Sequence, residues 1–201
     1  MELNNLLIMD NVFDSETLTK LTEICQIELE NPENNFLDKQ GEDYVNQTQY
    51  RDINKRWYPP PNHYVTNLIR DFLYGEKLLK LTENLGDFAW ICFNNRFTKT
   101  FELQVTEYLK NNKYDWHTDF ELMRMRMLNY IFYLTEPEGG ELQISNEVLN
   151  SFNFEKQEFN IYKSIKPKIN RLVIMPSWLA HRVTPIISGK RLTVNGHINL
   201  Q

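Results

Sequence analysis

Cysteine is nearly missing from this 201-residue chain: only Cys25 and Cys92 occur, with no Cys-x-x-Cys pair. That excludes a disulfide scaffold and any cysteine-built metal cluster, and it fits a reduced, intracellular protein whose thiols serve as small buried hydrophobes. Glycine and proline are scarce as well, at 7 and 8 residues, while 12 Phe, 10 Tyr and 4 Trp are present. Collagen-like, low-complexity and disordered classes are thereby excluded. Long apolar runs are absent; stretches such as Tyr130–Leu134 fall far short of the ~20 residues needed to cross a bilayer. The first residues, Met1 to Asp10, carry neither a cationic start nor a small-residue cleavage site after Leu6-Leu7-Ile8-Met9, so a cytoplasmic protein with no secretory signal is expected. No basic stripe exists either. The net charge is −5 and the 22 Lys and Arg are scattered, which argues against a nucleic-acid or membrane partner.

What is present is enough chain for one globular domain, 41% of it hydrophobic, with no internal repeat and no dividing linker. Leu18, Leu21, Ile24, Cys25 and Ile27 recur at helical spacing within Asp14–Glu30, with Asp14 or Ser15 as N-cap. A second helix is expected over His63–Tyr74, after the break Trp57-Tyr58-Pro59-Pro60-Pro61-Asn62, with His63 itself at the surface. Asn34 to Trp57 is long and polar and reads as a loop able to act as a lid. Beyond Gly86 the pattern changes to aromatic and β-branched alternation. Strands are expected at Phe88–Asn94, Phe101–Leu109, Met125–Leu134, Glu141–Ser145, Phe159–Ile165, Arg171–Met175 and Arg191–Leu200, separated by turn residues. Helices followed by many short strands predict an α+β, mainly β protein. Its helical support and lid would occupy residues 1–87 of a single 1–201 domain, and a closed or sandwiched antiparallel core residues 88–201.

The chain has four histidines, so their placement carries information. His117 and Asp119 form a His-Thr-Asp triplet after a turn, and in extended backbone such i, i+2 side chains share one face. Taken alone the triplet reads as a surface histidine beside a solvated carboxylate. A third candidate, His181, follows the apolar strand Leu172–Met175 and a Pro176-Ser177 turn, where an apolar element is expected to end. Two imidazoles and one carboxylate can occupy one face of an octahedral iron and leave positions for a 2-oxo acid and O2, the arrangement of non-haem Fe(II) oxygenases. Arg191 opens the last strand ten residues later, and its planar fork suits the second carboxylate of such an acid. On that strand Arg191, Thr193, Asn195 and His197 share a polar face, opposite the apolar Leu192, Val194, Ile198 and Leu200. A solvated edge strand competes with a polar cavity wall for that pattern.

These residues resemble the iron(II) and 2-oxoglutarate-dependent dioxygenases of the prolyl 4-hydroxylase-like superfamily. The resemblance rests on Tyr108, the block Tyr114-Asp115-Trp116-His117-Thr118-Asp119, Tyr133-Leu134, Gly139-Gly140-Glu141-Leu142, His181-Arg182-Val183-Thr184-Pro185 and Gly189-Lys190-Arg191, in order over residues 88–198. Arg51-Asp52 ahead of Trp57 is similar to the segment preceding the supporting helix. The resemblance implies a double-stranded β-helix (jelly roll, cupin-like) and Fe(II) held by His117, Asp119 and His181. It also implies 2-oxoglutarate bound by Arg191 with Tyr133 and Tyr108, a pocket lined by Leu142 and Val183, O2 as oxidant and ascorbate as a candidate reductant. Asn195 is added as a polar wall residue. Substrate contacts are assigned to Arg126, Arg51, Trp116 and His197. Strict alternation, however, puts Arg126 on the face opposite Tyr133 unless a bulge intervenes, and the plainer reading of Arg124 and Arg126 is solvated charge. For Trp116 the plainer reading is simple burial, and His197 stands where many relatives carry an aromatic residue.

The implied reaction oxidises 2-oxoglutarate to succinate and CO2 and hydroxylates an unactivated C–H bond, with a peptidyl proline as the expected substrate and a free amino acid or other small molecule as the alternative. Two readings of other classes compete. A zinc hydrolase would need a carboxylate base and would have no use for Arg191. A non-catalytic jelly-roll binding module would have no use for an intact ligand triad.

Overall fold

Asp14 starts helix α1 (Ser15–Glu30): its Oδ1 accepts the backbone N–H of Thr17 at 2.8 Å, as the sequence pattern predicts. Leu21, Cys25 and Leu29, four residues apart, form the buried stripe, while Ile27 is exposed, contrary to expectation. Burial pushes the Cys25 thiol up, so it stays protonated and behaves as a hydrophobe. Helix α2 (Tyr64–Leu73) is capped by His63, whose Nδ1 accepts from Val65 N at 3.2 Å. His63 is therefore not a free surface residue: its ring packs edge-on against Trp57 at 4.9 Å and its Nε2 lies 3.6 Å from Glu28. The computed structural model describes residues 6–34, 51–76, 78, 99–120, 125–148 and 159–200; the expected strand Phe88–Asn94, Cys92 and Arg124 lie outside these.

The strands are β1 (Leu7–Asp10), β2 (Lys55–Trp57), β3 (Lys99–Tyr108), β4 (Tyr114–His117), β5 (Arg126–Tyr133), β6 (Glu138–Gly139), β7 (Leu142–Val148), β8 (Ile161–Ile165), β9 (Arg171–Pro176), β10 (Leu179–Val183), β11 (Ile186–Ser188) and β12 (Arg191–Leu200). One sheet has the order β1-β9-β5-β12-β3-β2, a second β4-β10-β7-β8, and β11 pairs with β6. Every pairing of these strands is antiparallel. The result is a jelly roll in a mainly β chain.

Strands β5 and β9 of the large sheet are buried on both faces, which explains why they read as nearly continuous apolar runs. Leu128, Tyr130 and Phe132 of β5, Leu172 and Ile174 of β9, and Leu192, Val194 and Ile198 of β12 form one core with Leu21, Cys25, Val65, Ile69 and Leu73 of the helices. The intervening Ile131, Tyr133, Val173 and Met175 turn the other way and meet Leu142, Ile144, Ile165 and Leu179 of the small sheet. Burying each such side chain contributes roughly 1.5–3 kcal/mol. Phe132 anchors the helical side by contacts at 5.4 Å with Phe13 and 5.5 Å with Phe72.

Three further features depart from the sequence expectation. Leu7-Ile8-Met9 enters the large sheet as edge strand β1. The segment expected as a lid, Asn34 to Trp57, lies outside the described residues over 35–50, and its last three residues are strand β2 rather than loop. His181 does not end an apolar element: the chain turns at Ser177-Trp178 and resumes as β10, with His181 at its centre. Among the described residues no helix is long and apolar enough to cross a membrane.

Candidate active site

Between the two sheets lies a cavity of about 240 Å3. His117, the last residue of β4, and His181, the middle of β10, are register partners across the small sheet. Each Nδ1 is held by the backbone carbonyl two residues earlier: His117 by Asp115 at 2.7 Å and His181 by Leu179 at 2.9 Å. A carbonyl only accepts, so each Nδ1 carries a proton and Nε2 is left as the nitrogen able to coordinate a metal. Asp119 follows β4, pinned by its backbone N–H to Ser177 O at 3.0 Å in the β9–β10 turn. Its Oδ2 lies 3.1 Å from His181 Nε2 and its Oδ1 3.9 Å from His117 Nε2. The three residues offer ligand atoms all within 4.8 Å of one another, a set that could hold one divalent ion.

The electrostatics suit that use. Burial, reinforced by His181, pushes His117 down to about 3, so its imidazole is neutral and its lone pair available. Burial alone would raise the Asp119 carboxyl, but the contact with His181 and the neighbouring imidazoles outweigh it and hold the group well below the usual carboxylate range.

Arg191 opens β12 opposite Tyr108 on β3 and is 2% exposed. Its guanidinium lies 5.3 Å from the Tyr108 ring centre and 5.1 Å from that of Tyr133. The Nε of Arg191 and the hydroxyl of Tyr133 are both buried without a hydrogen-bond partner. Each orphaned group costs about 1–3 kcal/mol, so a pair of them at one place fits an anionic ligand that supplies the missing acceptors. Gly140 makes room: it has φ +65°, and a Cβ there would meet Ile186 Cδ1 at 2.4 Å and Arg191 Cδ at 3.2 Å. Leu142 and Val183, register partners on β7 and β10, form the apolar wall.

The remaining sequence-assigned residues divide. Asn195 lines the cavity within a polar ladder, accepting from Gln104 at 2.7 Å and donating to Thr106 and Thr193 at 2.8 Å. Arg126 also reaches the cavity, because the β5–β12 register skips a residue between Leu128 and Arg126. That bulge reverses the strict alternation, and Arg126 is bound bidentately to Glu102 at 2.6 and 3.3 Å rather than solvated. Arg51 bridges to Tyr114 and lies 4.7 Å over its ring, which in turn stacks at 3.5 Å on His117. His197 faces the cavity with Nδ1 2.8 Å from Asn129 Oδ1. Trp116 is not brought in: it packs against Phe159 at 5.1 Å and Arg182 at 4.9 Å instead.

Sequence reasoning assigned no role to Asn129, Gln104 or Tyr114. The first had a readable signal, since a lone Asn within Met127-Leu128-Asn129-Tyr130-Ile131-Phe132-Tyr133 shares its face with Tyr133 and would not be placed there for packing. Tyr114 had none, because its stacking on His117 depends on the irregular register between β4 and β10.

A jelly roll with two histidines and one carboxylate converging beside a buried arginine defines a class, the 2-His-1-carboxylate oxygenases. Residues 103–199 match the model of the 2OG-Fe(II) oxygenase superfamily. The matched stretch, just under half of the chain, takes in His117, Asp119, His181 and Arg191, and over it the chain is similar to the 2OG-Fe(II) oxygenases. Among solved structures, a Pseudomonas putida prolyl-4-hydroxylase is 17% identical with a TM-score of 0.65, over 98% of this chain and 93% of that one. The viral collagen prolyl hydroxylase of Paramecium Bursaria Chlorella virus-1, solved with 2-oxoglutarate, is 18% identical with a TM-score of 0.57, over 96% and 95%. A Trichoplax adhaerens prolyl hydroxylase, solved with a hypoxia-inducible-factor degradation-domain peptide, is 17% identical with a TM-score of 0.63, over 98% and 84%. At these identities the likeness is one of fold. A search of the curated proteins found no match.

Proposed function

We propose that this chain is an Fe(II)- and 2-oxoglutarate-dependent hydroxylase of peptidyl proline. The observation that carries the reading is the pairing, in one cavity, of the His117, Asp119 and His181 cluster with the orphaned Arg191 Nε and Tyr133 hydroxyl. His117 and His181 present Nε2 and Asp119 a carboxylate oxygen to the iron. Arg191 receives the distal carboxylate of 2-oxoglutarate, Tyr133 donates a second hydrogen bond to it, and Leu142 and Val183 keep water from its methylene chain. Tyr108 flanks the Arg191 guanidinium and fixes its plane. When bound, iron and 2-oxoglutarate supply an oxidation that yields succinate and CO2 and places one oxygen atom of O2 on a substrate C–H bond. No side-chain base is needed for this. The protein's part is geometry and the exclusion of water.

The peptide side of the reading draws on the solved neighbours, which are prolyl hydroxylases, one of them holding a peptide. The cavity is also lined by Asn195, Gln104, His197, Arg126 and Tyr58, polar groups suited to an extended chain. Incubation with Fe(II), 2-oxoglutarate, ascorbate and proline-containing peptides tests the proposal. A gain of 16 Da on proline, matched by succinate, is the expected result. The same gain on a free amino acid would move the substrate class, and release of no succinate from folded protein would contradict the reading.

A further inference from the structure

Asn129 lies in the middle of β5, 3% exposed, opposite His197 on β12 and Met175 on β9. Its Nδ2 donates to Asp119 Oδ2 at 2.8 Å, and its Oδ1 is 2.8 Å from His197 Nδ1. Only one arrangement of protons satisfies this chain. A carboxylate accepts only, so it must face the amide NH2, which leaves the amide oxygen towards His197 and requires a proton on Nδ1 of that ring. A reversed amide would set its oxygen against the carboxylate and its NH2 against an N–H. The amide thus holds Oδ2, which also lies 3.1 Å from His181 Nε2, while Oδ1 is turned towards His117.

Resting on the iron reading above, we propose that Asn129 is a positioning residue for the Asp119 carboxylate and that His197 locks the Asn129 amide, so that the three act as one unit in metal binding. Outer partners of metal ligands typically change affinity 10–100-fold when removed. The unit also assigns His197 a role directed at the metal ligand as well as the substrate.

Titration of the metal-free protein with Co(II), read by its visible absorption, tests this without turnover. Asn129→Ala is expected to weaken Co(II) binding about tenfold or more and to change the band shape. His197→Phe keeps ring volume, removes the Nδ1 donor and is expected to weaken binding in the same direction by a smaller factor. The double variant is expected to bind no worse than Asn129→Ala alone, which independent structural damage would not produce. Co(II) affinity of Asn129→Ala equal to wild type, or additive losses in the double variant, would overturn the proposal. Should Asn129→Ala fail to fold, as judged by metal-free melting, unchanged affinity in His197→Phe overturns it alone. Wild type binding Co(II) no better than Asp119→Ala would instead contradict the iron reading itself.

Discussion

His117 and His181 face each other as register partners on β4 and β10, with ring centroids 4.1 Å apart and each Nδ1 tied to a carbonyl of its own strand. The distance between the two Nε2 atoms is thus set by the pairing of β4 with β10. Asp119 joins them through the β9–β10 turn, where Ser177 also fastens its hydroxyl to Arg126 O at 2.6 Å.

The Tyr133 hydroxyl is buried and unpartnered in the protein alone. Tyr133→Phe is therefore expected to leave stability unchanged or slightly raised, while the KM for 2-oxoglutarate rises about tenfold, the worth of one hydrogen bond of about 1.5 kcal/mol to a charged group. Arg191→Lys should raise that KM further, since an ammonium cannot reproduce the fork. Thermal melting and initial-rate measurements check both; loss of stability in Tyr133→Phe with KM unchanged would make the residue a packing element.

Gly196 lies in β12 between Leu103 of β3 and Tyr130 of β5. An added Cβ would lie 1.8 Å from Glu102 O and 2.8 Å from the Tyr130 hydroxyl, which itself bonds Glu102 O at 2.6 Å. Backbone cannot yield as a flexible side chain can, so Gly196→Ala is expected to cost about 2–3 kcal/mol and to loosen the Glu102–Arg126 pair at the cavity rim. Denaturant midpoints measure the first effect. A variant as stable as wild type would contradict it.

Asp10 closes β1 onto β9. Hydrogen bonds from Arg171, then Lys168, hold its carboxyl well below the usual range despite some opposing desolvation. Because the folded value is lower than the unfolded one, the pair stabilises the protein above the unfolded value near 4 and the contribution disappears as pH falls towards the folded value. Asp10→Asn should accordingly be less stable than wild type at pH 7, by ~1 kcal/mol or less at this partly exposed position, with the gap narrowing below about pH 4. Urea midpoints across that range decide it; a gap independent of pH would mean that packing rather than charge is at work.

Much of this architecture was legible in the residues. Asp14 marked the start of α1, and the parity of Arg191, Thr193 and Asn195 against Leu192 and Val194 marked a strand with one polar and one apolar face, the apolar one meeting the helices in the structure. What escaped depended on tertiary context. Leu7-Ile8-Met9 becomes a strand only because β9 offers an open edge, and its brace at Asn170, which bonds both N–H and C=O of Phe13, lies 157 residues away. Arg126 escaped strict alternation through one skipped residue in the β5–β12 register, which no local pattern announces. Asn129 could have been found from its parity with Tyr133, but its partner Asp119 is reached only after the chain doubles back.

The central claim is that His117, Asp119 and His181 hold ferrous iron beside 2-oxoglutarate anchored on Arg191. Anaerobic addition of Fe(II) and 2-oxoglutarate, followed by visible absorption, measures this most directly. The account predicts a weak charge-transfer band in the wild-type protein, absent in Asp119→Ala and shifted to higher 2-oxoglutarate concentration in Arg191→Lys. Folded wild-type protein giving no band, or Asp119→Ala giving the same band, would contradict it.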